Sequence, residues 1–90
     1  MLHGIFLIYA GNKEEAKTEA AKALKLNPTD PLMQYNGACF YARIGETSLA
    51  VESLRNSVIS GYQNYEWIKR DTDLDSLRNN PGYIELMKGK

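Results

Sequence analysis

Apolar residues recur every three or four positions along most of the chain, a spacing typical of amphipathic helices. A first apolar run covers residues 2–10 and ends at Gly11, and a second apolar stripe begins after Asn12, which is placed as a helix cap. Asn27 before Pro28 ends this second helix, because the residue before a proline avoids helical backbone geometry. No segment shows the period of two that a strand requires, so the pattern predicts an all-α fold.

The joints between the later helices carry clear start and stop signals. Asp30 followed by Pro31 predicts a helix start, since aspartate caps free amides and proline tolerates the first helical position. Gly45 separates this third helix from a fourth that begins at 46 or 47 and ends at 60. Gly61 is placed to close the fourth helix in a left-handed conformation.

The C-terminal part of the chain is organised differently. Trp67 is followed by an acidic stretch, and two pairs of residues then predict further helix starts, Thr72 with Asp75 and Asn80 with Pro81. Five apolar side chains are expected to cover the end of the preceding helices from water: Leu74, Leu77, Tyr83, Ile84 and Leu86.

The chain also repeats itself. A shift of 34 residues superimposes three identical pairs: Phe6 on Phe40, Gly11 on Gly45, and Ala16 on Ala50. The same shift places Gly4 on Ala38, so small residues recur where two helices would need close backbone approach.

A 34-residue helix–turn–helix unit with small residues at these positions resembles the tetratricopeptide repeat. In the second unit the resemblance rests on Gly37, Ala38, Tyr41, Gly45, Ala50 and Leu54, and in the first on Gly4, Leu7, Gly11, Ala16, Ala20, Ala23, Leu24, Leu26 and Pro28. Gln34, Ser57 and Tyr62 depart from the family pattern. The acidic tail and its Pro81-Gly82-Tyr83 segment resemble the capping ends of bacterial members of the family.

The resemblance implies a right-handed stack of antiparallel helix pairs, an α-solenoid with a helical C-terminal cap. Residues 1–30 would form a truncated first repeat, residues 31–64 a second, and residues 65–90 an irregular third unit with its capping helices. In this family the first helix of each repeat lines a concave groove that binds other proteins. Here the resemblance assigns eight residues to that groove: Ile5, Ile8, Tyr9, Leu32, Tyr35, Asn36, Cys39 and Arg43.

Composition limits the other functions. Lys and Arg together number 11, as do Asp and Glu, so the balanced charge argues against a general nucleic-acid binder. The apolar run at the N-terminus is shorter than the roughly 20 residues of a membrane span. A truncated targeting segment is the alternative interpretation of this run. We expect a cytoplasmic protein that does not bind a membrane.

Residues that could carry chemistry are few. His3 has no nucleophile or carboxylate within one helical turn, and Cys39 lies among apolar residues that favour an inert thiol. Asp71, Asp73 and Asp75 have the alternating carboxylates of a calcium loop but lack its later glycine and glutamate, so helix capping is favoured. We therefore expect neither an enzyme nor a metal or other cofactor.

Two functions fit these observations. The first is a non-catalytic interaction module whose mostly apolar groove binds a partner peptide, with Asn36 bonding to its backbone. On this view Tyr35→Ala weakens binding without unfolding the protein, whereas Ala50→Trp unfolds it. The second is a structural homodimer in which another copy covers the groove or the N-terminal end. A third possibility, implied by the resemblance, is a groove that grips a C-terminal carboxylate with several Lys, Arg and Asn side chains. Here only Asn36 and Arg43 could serve, because Lys69-Arg70 lie on the irregular third unit.

Overall fold

In the computed structural model, which describes residues 13–90, every regular element is a helix. The elements are α1 (Lys13–Leu26), α2 (Pro31–Arg43), α3 (Thr47–Ile59), α4 (Tyr65–Arg70), a 3₁₀ helix (Thr72–Leu77) and α5 (Pro81–Met87). The all-α prediction is confirmed for this part of the chain. None of the helices within residues 13–90 has the length and apolar character needed to cross a bilayer.

Short-range capping fixes where two of the helices begin. The Asp30 carboxylate accepts a hydrogen bond from the backbone N–H of Met33 at 3.0 Å. The side-chain oxygen of Asn80 accepts from the backbone N–H groups of Gly82 and Tyr83, at 2.8 and 3.3 Å. In both cases a proline follows the cap, so the helix starts predicted at Asp30–Pro31 and Asn80–Pro81 are confirmed.

Two glycines end helices as the sequence predicts. Gly45 after α2 has φ of 84° and Gly61 after α3 has φ of 123°, values that side chains with a Cβ rarely adopt. The residue after each glycine donates its backbone N–H to the carbonyl five residues earlier, at 2.9 Å after Gly45 and 3.0 Å after Gly61. This bond closes the C-terminus of each helix and turns the chain back on itself.

Helix α4 was not predicted from the sequence. Asn64 caps it, because its side-chain oxygen accepts from the backbone N–H of Trp67 at 3.1 Å. A helix of six residues is too short to show a hydrophobic period, which explains why the pattern misses it. The helix start expected at Thr72 exists as a 3₁₀ helix, and its cap is Asp71.

Helix starts repeat along the described chain with the period seen in the sequence. Helices begin at Pro31 and Tyr65, 34 positions apart, and at Thr47 and Pro81, again 34 apart. The third unit therefore keeps the spacing of helix starts, although its first helix is broken at Asp71 into α4 and the 3₁₀ helix.

Helix α2 lies at the centre of the molecule and packs against α1, α3 and the 3₁₀ helix. All ten residues from 33 to 42 are buried, whereas the sequence predicts one covered face and one open face for this helix. The reason is visible in the sequence, because no charged residue stands between Asp30 and Arg43. A helix without a charged face is covered on several sides.

Side chains also tie α2 to the helices on either side. The Gln34 amide donates to the Leu24 and Asn27 carbonyls at the end of α1, at 3.1 and 3.0 Å. On the opposite flank, the Ser57 hydroxyl of α3 donates to the Pro31 carbonyl at 2.7 Å. The C-terminal ends of α1 and α3 therefore lie at the same end of the molecule as the start of α2.

The C-terminal elements cover the core as predicted, with one exception. Leu74 and Leu77 are fully buried, Tyr83 is buried, and Leu86 is partly buried against the core. Ile84, however, is 54% exposed, so its predicted covering role is wrong. Successive helical residues point about 100° apart, which turns Ile84 away when Tyr83 faces the core.

Arg78 joins the separate pieces of this C-terminal unit. Its guanidinium donates to the Ile68 carbonyl at 3.0 Å and to the Asp71 carbonyl at 2.8 Å, both near the end of α4. It also donates to the Tyr83 hydroxyl on α5. One side chain therefore satisfies carbonyls that the break at Asp71 leaves without helical partners.

We expect Arg78→Ala to lower the free energy of unfolding by about 2–3 kcal/mol, because two carbonyls lose a charged donor. Urea unfolding followed by circular dichroism measures this loss. Arg70→Ala is the matched control, since Arg70 is exposed and donates only to the Glu66 carbonyl of its own helix, at 3.4 Å. Equal stability of the two variants would contradict the joining role of Arg78.

Candidate partner-binding site on α2

Three of the predicted groove residues form a line along α2, which we call the α2 strip: Leu32, Asn36 and Arg43. Their spacing of four and then seven residues puts them on one side of the helix, over a length of about 16 Å. The side chain of Leu32 is 57% exposed and that of Arg43 is 60% exposed. The strip thus has an exposed apolar end and an exposed cationic end, and the Asn36 amide between them lies in the buried stretch of α2.

Asn36 is the central residue of the strip. It is only 9% exposed, so most of its surface is already removed from water. Among residues 13–90 its side-chain amide has no hydrogen-bond partner, and the amide is not sealed from solvent. Buried polar groups are almost always hydrogen-bonded. The Asn36 amide is an exception among the described residues, because neither its donor nor its acceptor is used.

Arg43 is only weakly held by its neighbours. Its Nε lies 4.0 Å from a carboxylate oxygen of Asp73, at the limit of an ion pair. An exposed pair at this distance contributes under about 1 kcal/mol. The Arg43 guanidinium therefore remains available to an incoming acceptor.

Tyr35 and Cys39 are placed differently from the prediction, which put both in an open groove. Tyr35 is 6% exposed and Cys39 is 4% exposed. The Tyr35 hydroxyl donates to the Asp71 carboxylate, and the Cys39 thiol lies 3.7 Å from the same oxygen. Both side chains are occupied by contacts within the chain, because Asp71 reaches α2 from the C-terminal unit.

The residues that surround this carboxylate form what we call the Asp71 cluster: Tyr35, Cys39, Tyr62 and Asp71. The Tyr62 ring stacks on the Tyr35 ring, with centroids 4.5 Å apart and planes 15° from parallel. The second carboxylate oxygen of Asp71 accepts from the backbone N–H of Asp73 at 3.0 Å, which caps the 3₁₀ helix. One buried carboxylate thus both caps a helix and joins it to α2.

The cluster keeps its protons tightly bound. Burial, and then the hydrogen bond to Asp71, raise the pKa of Tyr35 far above its usual range. Burial, and then the negative charges of Asp71 and Asp73, likewise raise the pKa of Cys39. Reactive cysteines require a lowered pKa, so this thiol is not arranged as a nucleophile.

These shifts predict a loss of stability at alkaline pH. In the unfolded chain the thiol ionises near about pH 8.5 and the phenol near about pH 10, while the folded chain still holds both protons. The stabilisation of the fold by these two bound protons is complete below the unfolded-state pKa values. It is lost as the pH rises above them, by up to about 1.4 kcal/mol per pH unit for each group. The free energy of unfolding, measured with urea, should therefore fall from pH 7 to pH 11. Above pH 10 it should fall less steeply in Tyr35→Phe than in the wild type. An identical slope in the variant would contradict this account.

The ligand atoms of Cys39, Asp71 and Asp73 lie within 4.8 Å of one another, which is compact enough for a metal ion. Two features of these ligand atoms argue against a metal site. The Asp71 carboxylate is already bonded to Tyr35 and to a backbone N–H. Metal binding would also require a thiolate at Cys39, whose pKa is raised by burial. The arrangement fits a buried polar joint better than a metal site.

The sequence reasoning missed Asp71 and Tyr62 as neighbours of the predicted groove. Asp71 was identified only as part of an acidic capping stretch, and it lies 36 residues from Tyr35. The signal that could have found them is the 34-residue repeat, since neighbouring units of a repeat stack pack against each other. The other predicted groove residues, Ile5, Ile8 and Tyr9, lie outside the described residues.

Most of this chain is similar to a segment of a longer plant protein. A chloroplastic protein from Arabidopsis thaliana is 30% identical over 81 residues, which cover 87% of this chain. The chain spans about a quarter, 24%, of the length of that relative. No family model matches the chain, and no solved structure matches it. The comparison therefore shows a similar segment within a longer protein.

Proposed function

We propose that this chain is a non-catalytic interaction module of the tetratricopeptide kind, which binds a segment of a partner protein along the α2 strip. The 34-residue period of helix starts and the pairing of α2 with α3 support the repeat interpretation. The observation that carries the binding proposal is Asn36, a nearly buried amide with unused hydrogen-bonding capacity.

An extended peptide fits the dimensions and chemistry of the strip. A strand rises about 3.3 Å per residue, so five residues cover the roughly 16 Å between Leu32 and Arg43. An apolar side chain of the peptide would pack on Leu32. The Asn36 amide would donate to a backbone carbonyl and accept from a backbone N–H. Arg43 would bind an acidic side chain of the partner.

The Asp71 cluster acts on this site by positioning it. Tyr35 precedes Asn36 in α2. Its hydrogen bond to Asp71 and its stacking on the Tyr62 ring hold this turn of the helix against the C-terminal unit. A rigid strip loses little conformational entropy on binding. In this proposal Tyr35 and Cys39 support the strip and do not contact the partner.

The partner and the cellular location are part of the proposal. The name of the Arabidopsis relative places that protein in the chloroplast. For the present chain we propose a cytoplasmic location on composition alone, and a protein partner without nucleic acid or membrane.

Selection from a random peptide library tests the binding proposal. Peptides enriched on the wild-type chain should contain an apolar residue and, about five residues away, an acidic one. Leu32→Asp and Asn36→Ala should each weaken these peptides at least tenfold. Leu26→Asp is the control, because Leu26 is 81% exposed and lies at the end of α1, outside the strip. Equal affinity for the Leu32 and Leu26 variants would reject the strip as the binding site.

Self-association is the second candidate, and exposed side chains favour it. Leu26, Leu32 and Ile59 are 81%, 57% and 74% exposed, and all three lie at the end of the molecule where α1 and α3 finish. Contiguous exposed apolar residues often mark an interface. If a second copy covers this end, Leu26→Asp and Ile59→Asp will dissociate a dimer, whereas Asn36→Ala will not.

A further inference from the structure

A groove on the other side of α2 has the features of a second binding site. It has a volume of about 380 Å³, α1 and α3 form its walls, and Gln34 and Tyr41 of α2 lie at its floor. At about 100° per residue, these two positions face away from Asn36, so the groove is separate from the α2 strip. Its volume is at the lower end of the range for ligand sites.

The floor carries polar atoms that the protein leaves unused. Gln34, Tyr41 and Ser53 are only 2%, 4% and 5% exposed. Within residues 13–90 neither the Tyr41 nor the Ser53 hydroxyl makes a hydrogen bond, and the Gln34 oxygen accepts none. The Gln34 nitrogen is fixed by two backbone carbonyls, so the identity and place of its free oxygen are set.

The rest of the groove restricts what can enter. Leu24, Pro28 and Leu49 provide apolar wall surface. Lys25 stands on the α1 wall and Glu52 on the α3 wall, so a charged ligand would be attracted to one wall and repelled by the other. A neutral ligand with an apolar body fits better. The Gln34 oxygen, which is an acceptor only, selects a ligand that carries a donor.

We propose that this groove binds the side chain of a tryptophan or tyrosine from a partner protein, with the ring between the walls and the N–H or O–H bonded at the floor. Such side chains combine an apolar body with one polar tip, which is the pattern of the groove. The groove opens to solvent, so a side chain carried on a protein backbone can enter it. Its occupation would give the module a second contact surface on the side of α2 opposite the strip.

Titration of the ¹⁵N-labelled chain with small probes tests this assignment by NMR. Indole should shift the amide signals of Gln34, Tyr41 and Ser53 and bind about three- to tenfold more tightly than N-methylindole, which has no donor. N-acetyl-tryptophanamide should bind at least as tightly as indole. If indole binds and N-acetyl-tryptophanamide does not, the groove takes free small molecules and the partner proposal is wrong.

Variants that delete the floor oxygens test their role. Gln34→Met, which removes the acceptor-only oxygen, should reduce the preference for indole over N-methylindole to nearly one, and Tyr41→Phe and Ser53→Ala should each lower this preference while leaving the affinity for N-methylindole unchanged. Tyr65→Phe on α4 and Ser48→Ala on the exposed side of α3 are the matched controls and should retain the preference. An unchanged preference in the floor variants, or shifts confined to other residues, would show that the floor atoms bind water only.

Discussion

Replacing Tyr35 with alanine will lower the free energy of unfolding by about 4 kcal/mol, the usual cost of truncating a buried aromatic side chain to alanine. Tyr35 is 6% exposed, stacks on Tyr62 and donates to Asp71, so the variant leaves a cavity beside a carboxylate that has lost a donor. This outcome replaces the sequence-based expectation that Tyr35→Ala affects binding alone. Thermal and urea unfolding followed by circular dichroism measure the loss.

Two variants divide this effect into its parts. Tyr35→Phe keeps the ring and removes the hydroxyl, so it should lose only about 1–2 kcal/mol. Leu32→Ala, one helical turn away and 57% exposed, should lose less than about 1 kcal/mol. A Tyr35→Ala variant as stable as Leu32→Ala would mean that the Asp71 cluster does not hold the C-terminal unit against α2.

Ala50→Trp should destabilise the fold by about 3 kcal/mol or more, because a packed site has no room for the added ring. Ala50 is completely buried in α3, and it is one of the positions that recur with the 34-residue period. Domains of this size have a free energy of unfolding of only about 5–10 kcal/mol, so a large part of the population should unfold on mild heating.

The neighbouring residue provides the control for this change. Leu49→Trp introduces the same side chain one position earlier in α3, where the leucine is 37% exposed. We expect it to change the free energy of unfolding by less than about 1 kcal/mol. If both tryptophan variants melt at the same temperature, the close approach of helices at Ala50 is wrong.

Helix boundaries were predictable because the signals that set them are local. Asp30 bonds to a backbone N–H three residues away, and Asn80 does so two and three residues away. Gly45 and Gly61 adopt the positive φ angles that their places between apolar stripes indicate. Each of these features depends on fewer than six consecutive residues, so the sequence contains all the information.

The candidate site was less predictable because its geometry depends on distant residues. The burial of Tyr35 and Cys39 follows from Asp71, which lies 36 and 32 residues further along the chain. The carbonyls that the break at Asp71 leaves without helical partners are satisfied by Arg78, which lies seven and ten residues further along the chain. Helical periodicity identifies which residues share a face, but it does not identify which element covers that face.

Molar mass by light scattering, across a concentration series of the 90-residue chain, tests most directly whether the α2 strip is free for a foreign partner. The account predicts a constant 10.2 kDa, because a monomer leaves Leu32 and Arg43 exposed on either side of Asn36. A stable mass of twice that value, reduced to the monomer by Leu32→Asp, would contradict it. The strip would then be the interface between two copies of this chain.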